Sequence, residues 1–244
     1  MTLTMVDGRY VYCILEGKAK EEFGNIGLFD SNVYTISHND ISAVVSKIPL
    51  KEMQPNVDNI VAHQRVVEAS RKIGTSLPIR FGIIVMTDYG VKKLLVKSHK
   101  DFTVKISKLR HKDEFGIKII IDNDKGRSKL SNNSEIRKLK SGISNTSQGT
   151  AYFLKMKMDE AIKIEKLKQI DKMSGEIHRH LTKLSDDSCL LKTDLSQVIL
   201  NAAYLVSKED REEFNAAISK LKSKYKDGGL VIHESGPWAP YSFC

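Results

Sequence analysis

The residues of this 244-residue chain whose types suggest chemistry are seven histidines, three cysteines and a Gly17-Lys18 pair. Gly17-Lys18 would close a loop that cradles nucleotide phosphates with backbone N–H groups and a lysine. Such a loop needs a glycine at position 12 and a hydroxyl at position 19, where Tyr12 and Ala19 stand. His178 and His180 lie two apart on a predicted helix, so they point to different faces. Glu176 and His180 share a face, but two ligands do not make a metal site, and the histidines read as a surface pair. Cys13, Cys189 and Cys244 are far apart and form no Cys-x-x-Cys, which excludes a structural zinc site. His63 falls inside a predicted helix with no acid or nucleophile placed beside it, so it reads as a polar contact rather than a general base. No GxGxxG follows a strand, and no GxSxG or HExxH occurs. The expectation is a protein that is not an enzyme, with no catalytic, cofactor-binding or metal-binding residues.

Charge offers a different kind of chemistry. The chain has 39 Lys+Arg against 30 Asp+Glu, a net charge of +9. Residues 1–87 are neutral, 88–140 carry +8 and 141–244 carry +1. A basic stretch of this kind suits an anionic partner, and a nucleic-acid-binding module using 88–140, centred on Lys92, Lys93, Lys97 and Lys100, is one reading. The stretch has only Tyr89, Phe102 and Phe115 as stacking residues, and no Arg-Gly-aromatic-Gly-aromatic string. The preferred readings are a solvated helix face with a basic loop, or a docking surface for an acidic co-assembler. Composition excludes other classes: 15 Gly, 5 Pro and 3 Cys fit neither collagen nor a disulfide-stapled mini-protein, and 41% apolar residues fit a folded domain. Asp7 and Arg9 interrupt the N-terminal apolar residues, so no signal peptide is expected. No run approaches the roughly 18 apolar residues of a membrane span. A soluble, cytoplasmic protein is expected, with no membrane and no nucleic-acid partner.

These residues must be held by regular elements. Arg9–Leu15 reads as a strand stopped at Gly17, and Val33–Ser37 and Ile41–Ser46 as a hairpin turning at His38-Asn39-Asp40. A helix follows from Asn56 or Asp58 to about Ile73, with Ile60, Val61, Val67 and Ile73 as its apolar side. Leu77–Met86 reads as one extended run, Tyr89 to Leu109 as a helix, and Phe115–Ile121 as a strand. Residues 123–148 are rich in Ser, Asn and Lys and read as a flexible, partly helical connector. Ala151 to Leu184 is the longest helical pattern, with Ile164, Leu167, Ile170, Met173, Ile177, Leu181 and Leu184 at nearly helical spacing. Strands at Cys189–Lys192 and Val198–Val206, a helix at Lys208–Lys226 and a strand at Leu230–Glu234 complete the chain. The fold class is α+β: two ferredoxin-like domains with mostly antiparallel sheets, at 1–122 and 149–244, joined by the basic connector and the long helix.

Four segments together carry a resemblance. Gly236-Pro237-Trp238-Ala239-Pro240-Tyr241-Ser242-Phe243 is similar to the terminal signature of the GvpF/GvpL family of gas vesicle proteins. Leu200–Val206 with Phe214, Gly149–Leu154 with Lys155 and Lys157, and His63–Val67 followed by Leu77–Gly82 resemble other segments of that family, in the same order. Ala239 departs from the pattern, standing where a second proline is usual, and the connector matches nothing in it. The resemblance implies a non-enzymatic accessory protein of gas vesicle assembly, with two α+β domains and no cofactor. Its implied partners are the major hydrophobic shell protein and other accessory proteins. It would keep shell subunits from aggregating or help nucleation, in the cytoplasm and associated with the gas vesicle, where it would persist as a minor component. Arg80, Phe81, Trp238, Pro240, Tyr241 and Phe243 are the partner-binding candidates. Read from the residues alone, the aromatic–proline cluster is either a set of rigid anchors or a tail folded over a sheet edge, and the tail is favoured. Phe81 then belongs to the core, Gly82 permits a bulge or close approach, and Arg80 pairs internally.

Overall fold

The structure, a computed structural model, describes residues 7–19, 21–121, 134–143, 146–195, 197–225 and 229–244. It contains two compact units: residues up to Glu114 together with Pro237–Cys244, and Phe115–Gly236. This division differs from the one read off the sequence in two places. The first unit stops at Glu114 rather than near 122, and it takes back the last eight residues. Within the expected connector, residues 134–143 are helical, while 122–133 and 144–145 lie outside the described residues.

The first unit is built on β1 (Asp7–Glu16), β2 (Glu22–Gly24), β3 (Val33–His38), β4 (Ile41–Pro49), β5 (Ser76–Pro78) and β6 (Ile84–Val85). Its strand order is β2-β3-β4-β1-β5, and β6 also pairs with β1. These pairings are antiparallel. β1 is central, and Tyr10 to Leu15 are all buried, as a continuous apolar run requires of a strand covered on both faces. A bulge between Val11 and Cys13 inverts the side-chain alternation. Tyr10 before it, Tyr12 within it and Cys13 and Leu15 after it therefore enter the same core. Helix α1 (Val57–Arg71), capped by the Asn56 side chain, covers this face with Val66 and Val67. Helix α2 (Asp88–Leu109), capped by Thr87, covers the other face: its Asp88 binds Arg9 and Tyr34, whose side chains alternate with those of the first core.

Two expectations for this unit fail. The run Leu77–Met86 is not one strand; β5 and β6 flank a loop in which Gly82 takes φ +91°, a left-handed conformation that breaks an extended chain. Ile60, Val61 and Ile73 do not face the core but are exposed, and α1 buries His63, Val66, Val67 and Ser70 instead. Of the polar members, the Ser70 hydroxyl donates to the Val66 carbonyl, and His63 meets Tyr10 through Nδ1 alone.

The second unit comprises β7 (Lys112–Ile121, whose first residues belong to the other unit), α3 (Ser134–Ile143), α4 (Gln148–Thr182), β8 (Asp187–Leu190), β9 (Val198–Ser207), α5 (Arg211–Tyr225) and β10 (Leu230–Trp238, whose last two residues belong to the other unit). Its strand order is β10-β7-β9-β8, with β8 and β9 antiparallel. Alternate residues Phe115, Ile117 and Ile119 of β7 and Leu200, Ala202, Tyr204 and Val206 of β9 face one core. α5 closes it with Phe214, Ile218 and Leu221, and α4 with Ile177 and Leu181. α4 has 35 residues, about 52 Å at 1.5 Å per residue. Only its C-terminal part packs on the sheet: Ile164 and Leu167, expected on its inward stripe, are exposed. His178, expected at the surface, is half-buried with Nδ1 2.8 Å from the Tyr204 hydroxyl.

Candidate functional site

The sequence candidates fall in the first unit, in the loop after β5 and from the last residue of β10 onward. The terminal segment is held by two carboxylates. Glu68 of α1 accepts the Ala239 N–H at 3.3 Å while pairing with Arg71, whose other nitrogen meets buried Asp113. Glu114 accepts the Ser242 N–H at 2.8 Å and the Ser242 hydroxyl at 2.6 Å. Ala239 is buried in the α1-side core, Pro240 is buried, and Tyr241–Phe243 form a 3-10 turn. A proline ring at 239 would have to fit where Ala239 leaves 1% of its surface exposed.

His63 joins the two candidate segments. Its ring centroid lies 5.8 Å from that of Phe81 and 6.1 Å from that of Tyr241. Its Nδ1 is 2.9 Å from the Tyr10 hydroxyl, which also accepts the Gly82 N–H at 3.0 Å. Tyr12 completes the group, its ring 4.8 Å from that of Tyr10 and its hydroxyl bonded to Ser46 and the Leu28 N–H. Burial pushes the His63 pKa down to about 4, offset only in part by the Ile79 backbone. Burial also raises the phenols of Tyr10 and Tyr241 well above their ordinary value. At neutral pH the group is therefore an uncharged packing joint, not an acid–base pair.

The six candidates thus separate. Phe81 and Tyr241 meet across His63, and Pro240 is buried behind them. Phe243 lies under Lys108, whose Nζ is 5.9 Å from the ring centroid. Trp238 is exposed, Tyr241 keeps one side of its ring in solvent, and Arg80 is exposed without the expected internal pair among the described residues. Tyr10, Tyr12 and His63 were not among the candidates. The sequence signals for them are a Tyr-x-Tyr alternation in a strand and, for His63, its place in the His63–Val67 segment.

A second exposed surface lies on α4 between residues 152 and 167, where Tyr152, Phe153, Met156, Ile164 and Leu167 all face solvent. α3 packs against a different side of this helix, with Leu154 beside Gly142. Five large apolar side chains outward on one helix exceed the scattered exposure normal for a surface. Among the described residues, no group of three or more His, Cys, Asp or Glu is placed to hold a metal ion, and no helix is long and apolar enough to cross a membrane.

Comparison with known proteins agrees with this architecture over nearly its whole length. The family model described as gas vesicle synthesis protein GvpL/GvpF matches residues 8–244. The chain is similar to gas vesicle protein L1 of Halobacterium salinarum, at 22% identity over 99% of this chain and 92% of the relative. It is also similar to gas vesicle protein F of a Streptomyces species, at 26% identity over 96% and 98%. The fold matches the crystal structure of gas vesicle protein GvpF from Anabaena sp. PCC7120 with a TM-score of 0.81 at 20% identity, covering 97% of this chain and 98% of that one. GvpF from Microcystis aeruginosa matches with a TM-score of 0.73 at 22% identity and the same coverage.

Proposed function

We propose, from the premise that the chain belongs to the GvpL/GvpF family of gas vesicle synthesis proteins, that it is a non-catalytic assembly factor binding the major hydrophobic shell protein. It keeps shell subunits from aggregating before they enter the wall, seats them at nucleation, and stays with the vesicle as a minor component. It works in the cytoplasm alongside other accessory proteins and needs no cofactor, nucleic acid or membrane. Both units are read here as ferredoxin-like. In the second unit the strand order β10-β7-β9-β8, with α4 and α5 as the crossing helices, supports this reading, and in the first unit the order β3-β4-β1-β5 is its counterpart.

The observation that carries the shell-binding reading is the apolar face of α4. A subunit of a gas-facing wall is apolar before assembly, and a helix with an outward row of aromatic and aliphatic side chains gives it a surface to cover. Among the sequence candidates, Arg80, Trp238 and Tyr241 reach solvent and form a secondary contact, while Phe81, Pro240 and Phe243 shape the joint beside them.

The test is co-purification with the shell protein. Wild type should retain it, and Phe153→Ser/Met156→Ser/Leu167→Ser should not, with unchanged thermal melting because these side chains support no core. Trp238→Ser should weaken retention less. A wild-type protein that retains no shell protein, together with normal vesicles after deletion of its gene, refutes the proposal.

A further inference from the structure

α2 presents to solvent a face on which positive charge and apolar surface alternate. Val91, Leu95, Ile106 and Leu109 set its buried side. At 3.6 residues per turn, Lys93, Val96, Lys97, Lys100 and Val104 fall opposite, within an arc of about 100° and along about 17 Å of helix. All five are exposed, Val96 by 53% and Val104 by 62%.

The helix gains nothing from this face by itself. Lys93 and Lys97, and Lys97 and Lys100, repel at neighbouring positions on the helix surface. Valine forms helix less readily than the lysines around it, and an exposed valine gains no burial in return. Internal acids relieve the charge only in part, Asp101 standing one helical turn after Lys97. Asp88 is bound by Arg9 and Tyr34, and Asp101 is the only other acid on α2. Among the described residues, Lys92, Lys93, Lys97 and Lys100 make no ion pair; Lys93 lies over the Tyr89 ring, 4.8 Å from its centroid.

We infer that this face of α2 docks an acidic amphipathic helix of a partner protein. Carboxylates of that helix meet Lys93, Lys97 and Lys100, and its apolar side chains sit on Val96 and Val104. The spacing fits: residues 96 and 104 are about 12 Å apart along the axis, close to the roughly 10.5 Å between positions seven apart on a partner helix. Nucleic acid fits less well. A phosphate backbone has no use for two valines on the crest of a single convex helix, and α2 carries no arginine to read a base. This inference does not depend on shell-protein binding by α4.

The experiment uses the full chain and three fluorescent probes: a helical peptide of about six turns with glutamates three and four apart and leucines seven apart, the same peptide scrambled, and a single-stranded oligonucleotide. Wild type should bind the helical peptide, more weakly as salt rises from about 0.05 to 0.3 M. Lys93→Glu/Lys97→Glu/Lys100→Glu should weaken binding about tenfold or more. Val96→Ser/Val104→Ser should weaken it about fivefold, and the scrambled peptide should bind wild type weaker by a similar factor. All the substituted side chains are exposed, so melting curves should match wild type. Failure of the helical peptide to bind overturns the inference. So does equal binding of the scrambled peptide, indifference to the valine substitutions, or tighter binding of the oligonucleotide.

Discussion

Acidification should destabilise the first unit through His63, and the size of the effect follows from its surroundings. His63 is 4% exposed and packed among Tyr10, Tyr12, Phe81 and Tyr241, none of which is charged at neutral pH. The Glu68 carboxylate, which holds the Ala239 N–H, is engaged with Arg71. The folded pKa is about 4 against an ordinary 6.5. Between these values the unfolded chain binds a proton that the folded chain refuses. The associated stability is therefore fully present above pH 6.5 and is lost as pH falls towards 4. At 1.36 kcal/mol per pH unit, lowering the pH from 7.5 to 4.5 removes about 2.5 kcal/mol. Denaturant unfolding of wild type and His63→Gln across this range is the assay. The variant keeps a side chain that can bond Tyr10 but has nothing to titrate, so its pH slope lacks this contribution even if its stability at pH 7.5 is lower. Equal slopes for the two proteins, or an NMR titration placing His63 near 6.5 in the folded protein, would refute the reasoning.

Other substitutions probe separate parts. Gly82→Ala meets no atom within 4 Å, so its cost is conformational: about 1 kcal/mol from φ +91°, read by thermal melting. Glu114→Gln loses one of the two acceptors holding Ser242; it should cost about 1–2 kcal/mol in denaturant unfolding. Tyr204→Phe removes the hydroxyl bonded to His178 and should lower second-unit stability by about 1 kcal/mol in denaturant unfolding. Phe214→Ala, whose ring packs 5.3 Å from Phe115 and 5.6 Å from Tyr204, should cost about 3–5 kcal/mol by the same measurement.

What could be read from the sequence was what local chemistry decides. The turn at Asn39-Asp40, the Asn56 cap and the apolar run of β1 announce themselves within a few residues, and each is found where expected. The inward face of α1 was misread because its decisive neighbours are distant. Ile60 and Val61 look like core and are exposed; His63 looks polar and is buried, since Tyr10, 53 positions earlier, supplies its hydrogen bond. α4 misleads in another way. Its helical spacing is regular from Ile164 to Leu184, but periodicity reports only that an apolar stripe exists, not how much of it finds a sheet. At the site, Phe81 and Tyr241 each stood out within their own segments. That they share one joint depends on His63, which no spacing rule connects to either.

The return of Pro237–Cys244 to the first unit also has a consequence for how the protein is made. Synthesis runs from the N-terminus, and domains generally fold as units in that order. Here the first unit cannot finish in its turn, because Ala239 and the ligands of Glu68 and Glu114 are translated only after all of Phe115–Gly236. Until then its core holds an open seat beside His63, Phe81 and Tyr10, and a nascent first unit is a less stable body than the finished one. The long loop this closes raises the contact order of the first unit and slows its last step. Completion of the first unit is thereby tied to synthesis of the second: its contacts with Pro237–Cys244 can form only once Phe115–Gly236 has been translated.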